Sequence, residues 1–200
     1  KIARKAYDDA GHGTFVAGLI AGNGASSLTP DQGGKALRQY RGVAPQANIV
    51  SLKVLDGFGE GRKSNVIRAI DWAITNKSRY NIRVMNISLG GDVAAPVALD
   101  PLALAVEAAW KSGIVVVTAA GNEGEFGMGG ILSPGNDPYV ITVGASNTQQ
   151  TADTADDRVC GYSSIGPTMY DEIVKPDVVA PGNRNISLRV PWSFVDWTWP

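Results

Sequence analysis

One histidine occurs in 200 residues, and it stands between two glycines, Gly11-His12-Gly13. Imidazole exchanges protons near neutral pH, so an acid–base step in this chain would fall to His12, although a lone histidine is more often a surface or core residue. Asn122 follows Ala119-Ala120-Gly121, a stretch with no bulk to shield its amide. That amide could donate to an oxyanion forming beside a histidine base, and an asparagine after a strand equally serves as a turn or helix cap. Gly59-Glu60-Gly61 and Ser88-Leu89-Gly90 offer bare main chain that an extended peptide can join as added strands. Their plainer use is as short turns. Cys160 is the only cysteine, so no internal disulfide can form, and Val159-Cys160-Gly161-Tyr162 reads as a small buried hydrophobe rather than a reactive thiol.

These residues need elements to hold them. Phe15, Val16, Leu19 and Ile20 alternate with Ala17, Gly18, Ala21 and Gly22, which predicts a buried, closely packed helix with His12 at its start. Asn23 to Arg41 reads as a surface loop. Ile49, Val50, Leu52, Val54 and Leu55 predict a strand over 47–55 that is covered on both faces. Apolar residues at three- and four-residue spacing predict a helix over 64–74 with Ser64 as N-cap. A strand over 82–89, a helix over 101–111 stopped by Gly113, and a strand over 114–120 follow, with further strands over 139–145 and 173–180. This alternation predicts an α/β domain with a mostly parallel sheet and right-handed crossovers. In such sheets ligands bind outside the carboxyl ends of the strands. The segments ending in Gly57 to Gly61, Ser88 to Gly91 and Ala119 to Asn122, together with the helix opened by His12, are therefore expected to share one crevice.

Composition sets outer bounds. Hydrophobic residues make up 44% and charged residues 18% of the chain, which fits a folded domain with one core. A net charge of -1 does not favour a nucleic-acid partner, and no apolar run approaches the roughly 20 residues of a membrane span.

His12-Gly13-Thr14-Phe15-Val16-Ala17-Gly18 resembles the histidine motif of the subtilisin-like serine proteases. The resemblance continues in order through Gly42-Val43-Ala44-Pro45, Lys53-Val54-Leu55-Asp56 with Gly59 to Gly61, and Asn86-Ile87-Ser88-Leu89-Gly90-Gly91. It goes on through Ala119-Ala120-Gly121-Asn122-Glu123-Gly124, Val140 to Ala145, Ser163-Ser164-Ile165-Gly166-Pro167 and Lys175 to Gly182, and so covers about residues 8–182. It implies a three-layer α/β/α fold and an endopeptidase that forms an acyl-enzyme. His12 would be the base of a Ser-His-Asp triad and Asn122 the side-chain donor of the oxyanion hole. Gly59 to Gly61 and Ser88 to Gly90 would flank the substrate backbone, and Ala119 to Gly121 with Ser133 to Gly135 would wall the pocket for the residue before the scissile bond. A protein or peptide substrate and an extracellular or cell-envelope location are implied as well.

The departures are equally specific. Asp8 and Asp9 lie too near His12 to be the triad aspartate of the family's early strand, and read as loop or cap groups. No Gly-Thr-Ser-Met sequence occurs, and Ser163 and Ser164 match a structural motif instead. The chain is therefore expected to be an internal fragment of the catalytic domain, incomplete at both ends, with 183–200 as a tail, and inactive by itself. No calcium-loop signature is recognisable in Asn23 to Arg41, so no cofactor or metal site is assigned. A peptide-binding pseudoprotease is the alternative. A nucleotide-binding domain is a more distant one, because Gly57 to Gly61 lacks the Gly-x-Gly-x-x-Gly spacing.

Overall fold

The computed structural model describes residues 7–28 and 39–198. Its helices are α1 (His12–Ala21), α2 (Lys63–Thr75), α3 (Lys77–Tyr80), α4 (Pro101–Lys111) and α5 (Phe194–Thr198). Its strands are β1 (Val84–Ile87), β2 (Val115–Ala119), β3 (Ile141–Asn147), β4 (Arg158–Val159) and β5 (Val178–Pro181). The chain divides into two compact units, Lys1–Arg62 with Ile186–Pro200, and Lys63–Asn185.

In the first unit, α1 forms where the small and apolar residues predict it, but only Gly18 is fully buried. Main-chain groups finish the helix: Val43 N donates to Leu19 O at 3.0 Å, Ala44 N to Ile20 O at 2.7 Å and Gly42 N to Gly22 O at 2.8 Å. These bonds satisfy carbonyls that a helix end leaves without partners. Ser187 Oγ donates to Phe15 O at 2.6 Å and ties the 186–198 segment to the same helix.

The strand expected over 47–55 does not form. Residues 48–55 join no ladder among the described residues, and Ile49, Val50 and Leu52 are 48%, 41% and 36% exposed. Strand propensity expresses itself only through a partner that takes the main-chain hydrogen bonds, so this apolar run stays extended and half wet. Most of the 23–41 loop, residues 29–38, lies outside the described residues.

The second unit is built on a sheet. β1, β2 and β3 pair in parallel, β5 pairs β3 in parallel, and the short β4 pairs antiparallel with the end of β3. The register sets Val84 beside Val115, Val117 beside Ile141 and Val143 beside Val178. α4 is the crossover between β1 and β2 and packs on α2 and β2. Its limits follow from its sequence. Asp100 caps it by accepting from Leu102 N at 2.9 Å, Pro101 stands in the first turn, and Gly113, at φ +84°, turns the chain out. Leu102, Ala103, Val106 and Ala109 put one face into the core, each at most 1% exposed. α2 starts at Lys63, so Ser64 lies inside the first turn and not at the cap. Lys63 Nζ anchors that start on the Asp92 carbonyl at 2.8 Å. The two later strands are shorter at their beginnings than their apolar runs, at Ile141 and Val178. The observed class is thus the expected α/β with a mostly parallel, open sheet.

Candidate active site

His12 is the first residue of α1 and is exposed, and its ring has no hydrogen-bond partner among the described residues. The turn before it is held by Asp8. Asp8 Oδ1 accepts from Ala10 N at 3.2 Å and Gly11 N at 2.9 Å, and Oδ2 accepts from Thr14 N at 2.8 Å and Thr14 Oγ1 at 2.7 Å. Gly11 takes φ +91°, a conformation costly for any residue with a Cβ. Burial alone would raise the Asp8 carboxyl. The bonds from Gly11, from the Thr14 hydroxyl and main chain and from Ala10 outweigh it and hold the group below the usual aspartate range. Asp9 turns away to Lys53, at 2.7 Å. Both aspartates are thus local groups, as their nearness to His12 suggests.

Gly59, Glu60 and Gly61 belong to a compact turn in the same unit. Asp56 Oδ1 accepts from Phe58 N at 2.9 Å and Glu60 N at 3.1 Å, and Glu60 O accepts from Asp56 N at 2.8 Å. Glu60 therefore spends both main-chain groups inside the turn. The Gly59 carbonyl and both main-chain groups of Gly61 keep no partner among the described residues. The ledge is real but narrower than its sequence suggests, and its free groups sit two residues apart. The Phe58 ring meets Phe194 edge-on, with centroids 5.9 Å apart.

The remaining expected residues gather in the second unit, beyond the carboxyl ends of β1 and β2. Asn122 is exposed, its side chain has no partner among the described residues, and the short helical turn nearby is preceded by Glu123, so Asn122 caps nothing. Ala119 and Ala120 are fixed by the sheet. Ala120 N donates to Val143 O at 2.9 Å, and Ala120 O accepts from Leu132 N at 2.9 Å. Gly121 O accepts from Ser164 N at 3.1 Å, while Ser164 Oγ takes Glu123 N at 3.0 Å. Ser163 Oγ takes Ala145 N at 2.9 Å. Both serine hydroxyls are buried and structural, in line with their motif.

The two expected pocket walls touch. A Cβ on Gly135 would stand 2.7 Å from the Ala119 carbonyl and 3.0 Å from that of Leu132, so only glycine fits this approach. The Gly135 carbonyl itself accepts from Thr142 Oγ1 at 2.6 Å. Ser133 exchanges both main-chain bonds with Gly91 at 2.9 Å, which joins this wall to the Ser88-Leu89-Gly90 ledge. Leu89 and Gly90 have no main-chain partner among the described residues, and the Ser88 hydroxyl accepts from Asn86 Nδ2 at 2.9 Å.

The structure thus joins Ser88 to Gly90, Ala119 to Asn122 and Ser133 to Gly135 in one unit, and His12 and Gly59 to Gly61 belong to the other. Sequence reasoning missed Leu132. Its side chain lies against both Gly90 and Gly121, between the ledge and the wall. An apolar residue directly after Gly129-Gly130-Ile131 and before Ser133 was the available signal. Beneath the wall, Asp137 is fully buried, with Oδ1 accepting from Tyr139 N at 2.8 Å, and burial pushes its carboxyl up to about 6. Among the described residues no three His, Cys, Asp or Glu side chains group as a metal set. No helix of the described residues is long and apolar enough to cross a membrane.

Comparison with known proteins identifies the family and the fold. The subtilase family model, Peptidase S8, matches residues 2–199, beyond the 8–182 legible from motifs. Serine protease AprX of Bacillus subtilis (strain 168) is 45% identical over 199 residues, covering 95% of this chain and 42% of that protein. Subtilisin NAT of Bacillus subtilis subsp. natto is 38% identical over 176 residues, 88% of this chain and 38% of its own length. Among solved structures, Sphericase superposes with a TM-score of 0.73 at 30% identity, over 94% of this chain and 57% of that one. S41 Psychrophilic Protease gives 0.69 at 31%, over 90% and 54%. The chain thus spans from under half to a little over half the length of these relatives.

Proposed function

We infer a peptide-hydrolysing role from family membership, for this chain belongs to the subtilase family. Its fold is the subtilisin-like α/β fold of the two solved structures. In the native protein a serine hydroxyl would add to the scissile carbonyl carbon. His12 would take the hydroxyl proton and pass it to the leaving amine, and water would then release the acyl group. Asn122 would donate its amide to the oxyanion formed in each addition.

The observation that carries this reading is the state of Asn122. It stands exposed and uncommitted at the end of β2, beside main chain that the sheet and Ser164 hold still. Main chain held in that way sets where the amide is carried before charge develops. In the first unit the free groups of Gly59 and Gly61 match the two-residue interval at which an extended peptide presents its main-chain groups, and in the second unit Leu89 and Gly90 likewise leave main chain open. Leu132, between ledge and wall, would limit the side chain that the pocket admits. An extracellular or cell-envelope site of action accompanies the family resemblance.

The 200 residues contain no Gly-Thr-Ser-Met sequence, and both serines of the 163–164 pair are buried and engaged. We therefore propose that these 200 residues alone do not cleave peptides. One experiment has two arms. The 200-residue chain should take no label from a fluorophosphonate, and stoichiometric labelling would overturn the claim of inactivity. In the full-length protein, Asn122→Ala should lower kcat by about two orders of magnitude with KM little changed. A loss confined to KM would remove the oxyanion role.

A further inference from the structure

We infer that Asp8 is a positioning residue for His12: it holds the main chain that carries the imidazole and sets a lasting negative charge at the start of that helix. The inference rests on the reading of His12 as the proton carrier. The four bonds to the Asp8 carboxylate come from residues on both sides of His12, Ala10 and Gly11 before it and Thr14 after it. The turn is closed from its other side as well. Asp9 O accepts from Phe194 N at 3.2 Å and Ala10 O from Val195 N at 2.9 Å, and buried Ser193 packs on Gly11.

A cap needs only one acceptor for N2 or N3, and serine or asparagine would serve. This site uses both carboxylate oxygens, and Oδ2 takes two donors from Thr14. Asparagine at position 8 could keep the Oδ1 arm but would turn an NH₂ toward the Thr14 N–H. The carboxylate is therefore doing more than capping. A negative charge at a helix N-terminus is favourable, and its field falls on the first residue of the helix, which is His12. Among the described residues near the turn, Asp9 pairs with Lys53 and Asp196 with Arg189, and Asp56, next to the Gly57 that lies against Asp9, is engaged by the Phe58 and Glu60 amides. Lys53 also lies over the Tyr7 ring, at 5.5 Å.

Because the chain has one histidine, carbethoxylation by diethylpyrocarbonate gives one imidazole signal, and its rate at a fixed pH reports on His12 alone. In the 200-residue chain, Asp8→Asn should quicken this reaction about threefold, and Asp9→Asn by markedly less. A folded Asp8→Asn chain with an unchanged rate, or equal changes in the two variants, overturns the inference. Should Asp8→Asn lose the parent's circular dichroism, Thr14→Val takes its place, since it removes only the hydroxyl donor. Hydrogen exchange at the Gly11 and Thr14 amides should then quicken about fivefold, and unchanged exchange overturns the clamp. None of these readouts requires hydrolysis, so a failed Asn122 test would leave them interpretable.

Discussion

The two units hold their candidate residues by different means. Around Asn122 the fixing comes from sheet and buried contacts: Ala120 is bonded to β3, Ser133 to Gly91, and Gly135 sits on the Ala119 carbonyl. Around His12 no strand contributes among the described residues, and one carboxylate, one ion pair and a few main-chain bonds hold the turn. The first kind of support is tied into the buried core, so the loss of one contact there is felt through the whole unit. The second is concentrated in single side chains. Breaking contacts in each unit should therefore produce opposite signatures, with large stability effects in the sheet unit and local effects in the other.

The largest effect is expected at Lys175. Its side chain is 2% exposed, and its ammonium donates to Val140 O at 2.8 Å and Asp177 Oδ2 at 2.6 Å. Asp177 in turn accepts from Thr142 N at 2.7 Å, so the lysine braces the start of β3 against the approach to β5. Lys175→Met should cost about 3 kcal/mol in urea unfolding, the low end for removing one partner of a buried pair, because Asp177 is partly exposed. A cost below about 1 kcal/mol would mean that the ammonium is dispensable and that the sheet unit owes its strength to packing alone.

What the sequence disclosed follows the same division. β1, α4, β2 and β3 were legible because each has its period, its cap or its stop within the segment itself, as with Asp100, Pro101 and Gly113 around α4. The failures needed information held elsewhere. The 47–55 run has the composition of a strand, but pairing is a property of two segments, and its exposed Ile49 and Val50 show what happens without a partner. Asn122 was legible as a candidate through the small residues before it, yet its freedom from capping depends on Ser164, 42 positions later in the chain, which takes the neighbouring amide of Glu123. Leu132 escaped notice because contact with Gly90 and Gly121 is a tertiary fact. Asp8 is legible as a loop or cap group, but spacing cannot show that both its oxygens are used.

A smaller effect is expected beneath the pocket wall. The Asp137 carboxyl is raised to about 6 chiefly by burial, with Glu107 raising it and Lys175 and Lys111 lowering it. A raised carboxyl favours the protonated form in the folded state. The stability that this form contributes is present below the ordinary aspartate pKa, and is lost as pH rises through about 6. Asp137→Asn, which keeps an acceptor for Tyr139 N, should be nearly neutral at pH 4. It should stabilise the chain by about 2 kcal/mol at pH 7.5. Melting curves across that range check the sign. A difference independent of pH would show that Asp137 does not titrate on folding, and Lys175→Met should enlarge the difference by removing one of the charges that restrain it.

The smallest effect belongs to the first unit. Lys53 reaches Asp9 at 2.7 Å and the Leu55 carbonyl at 2.6 Å, but Asp9 is half exposed, and exposed pairs contribute little beyond what solvent and salt return. The hydrogen bond from Lys53, ahead of the attraction of its charge, holds Asp9 below the usual aspartate range. Lys53→Met should leave the melting temperature unchanged, while amide exchange quickens over 53–61, where the unpaired segment runs into the glycine turn. The contrast with Lys175 is the informative quantity, since both substitutions remove one ammonium from one aspartate. If Lys53→Met lowered the melting temperature as far as Lys175→Met does, the single contacts of the His12 unit would have to be cooperative with its whole fold, and the local character assigned to that unit would be wrong.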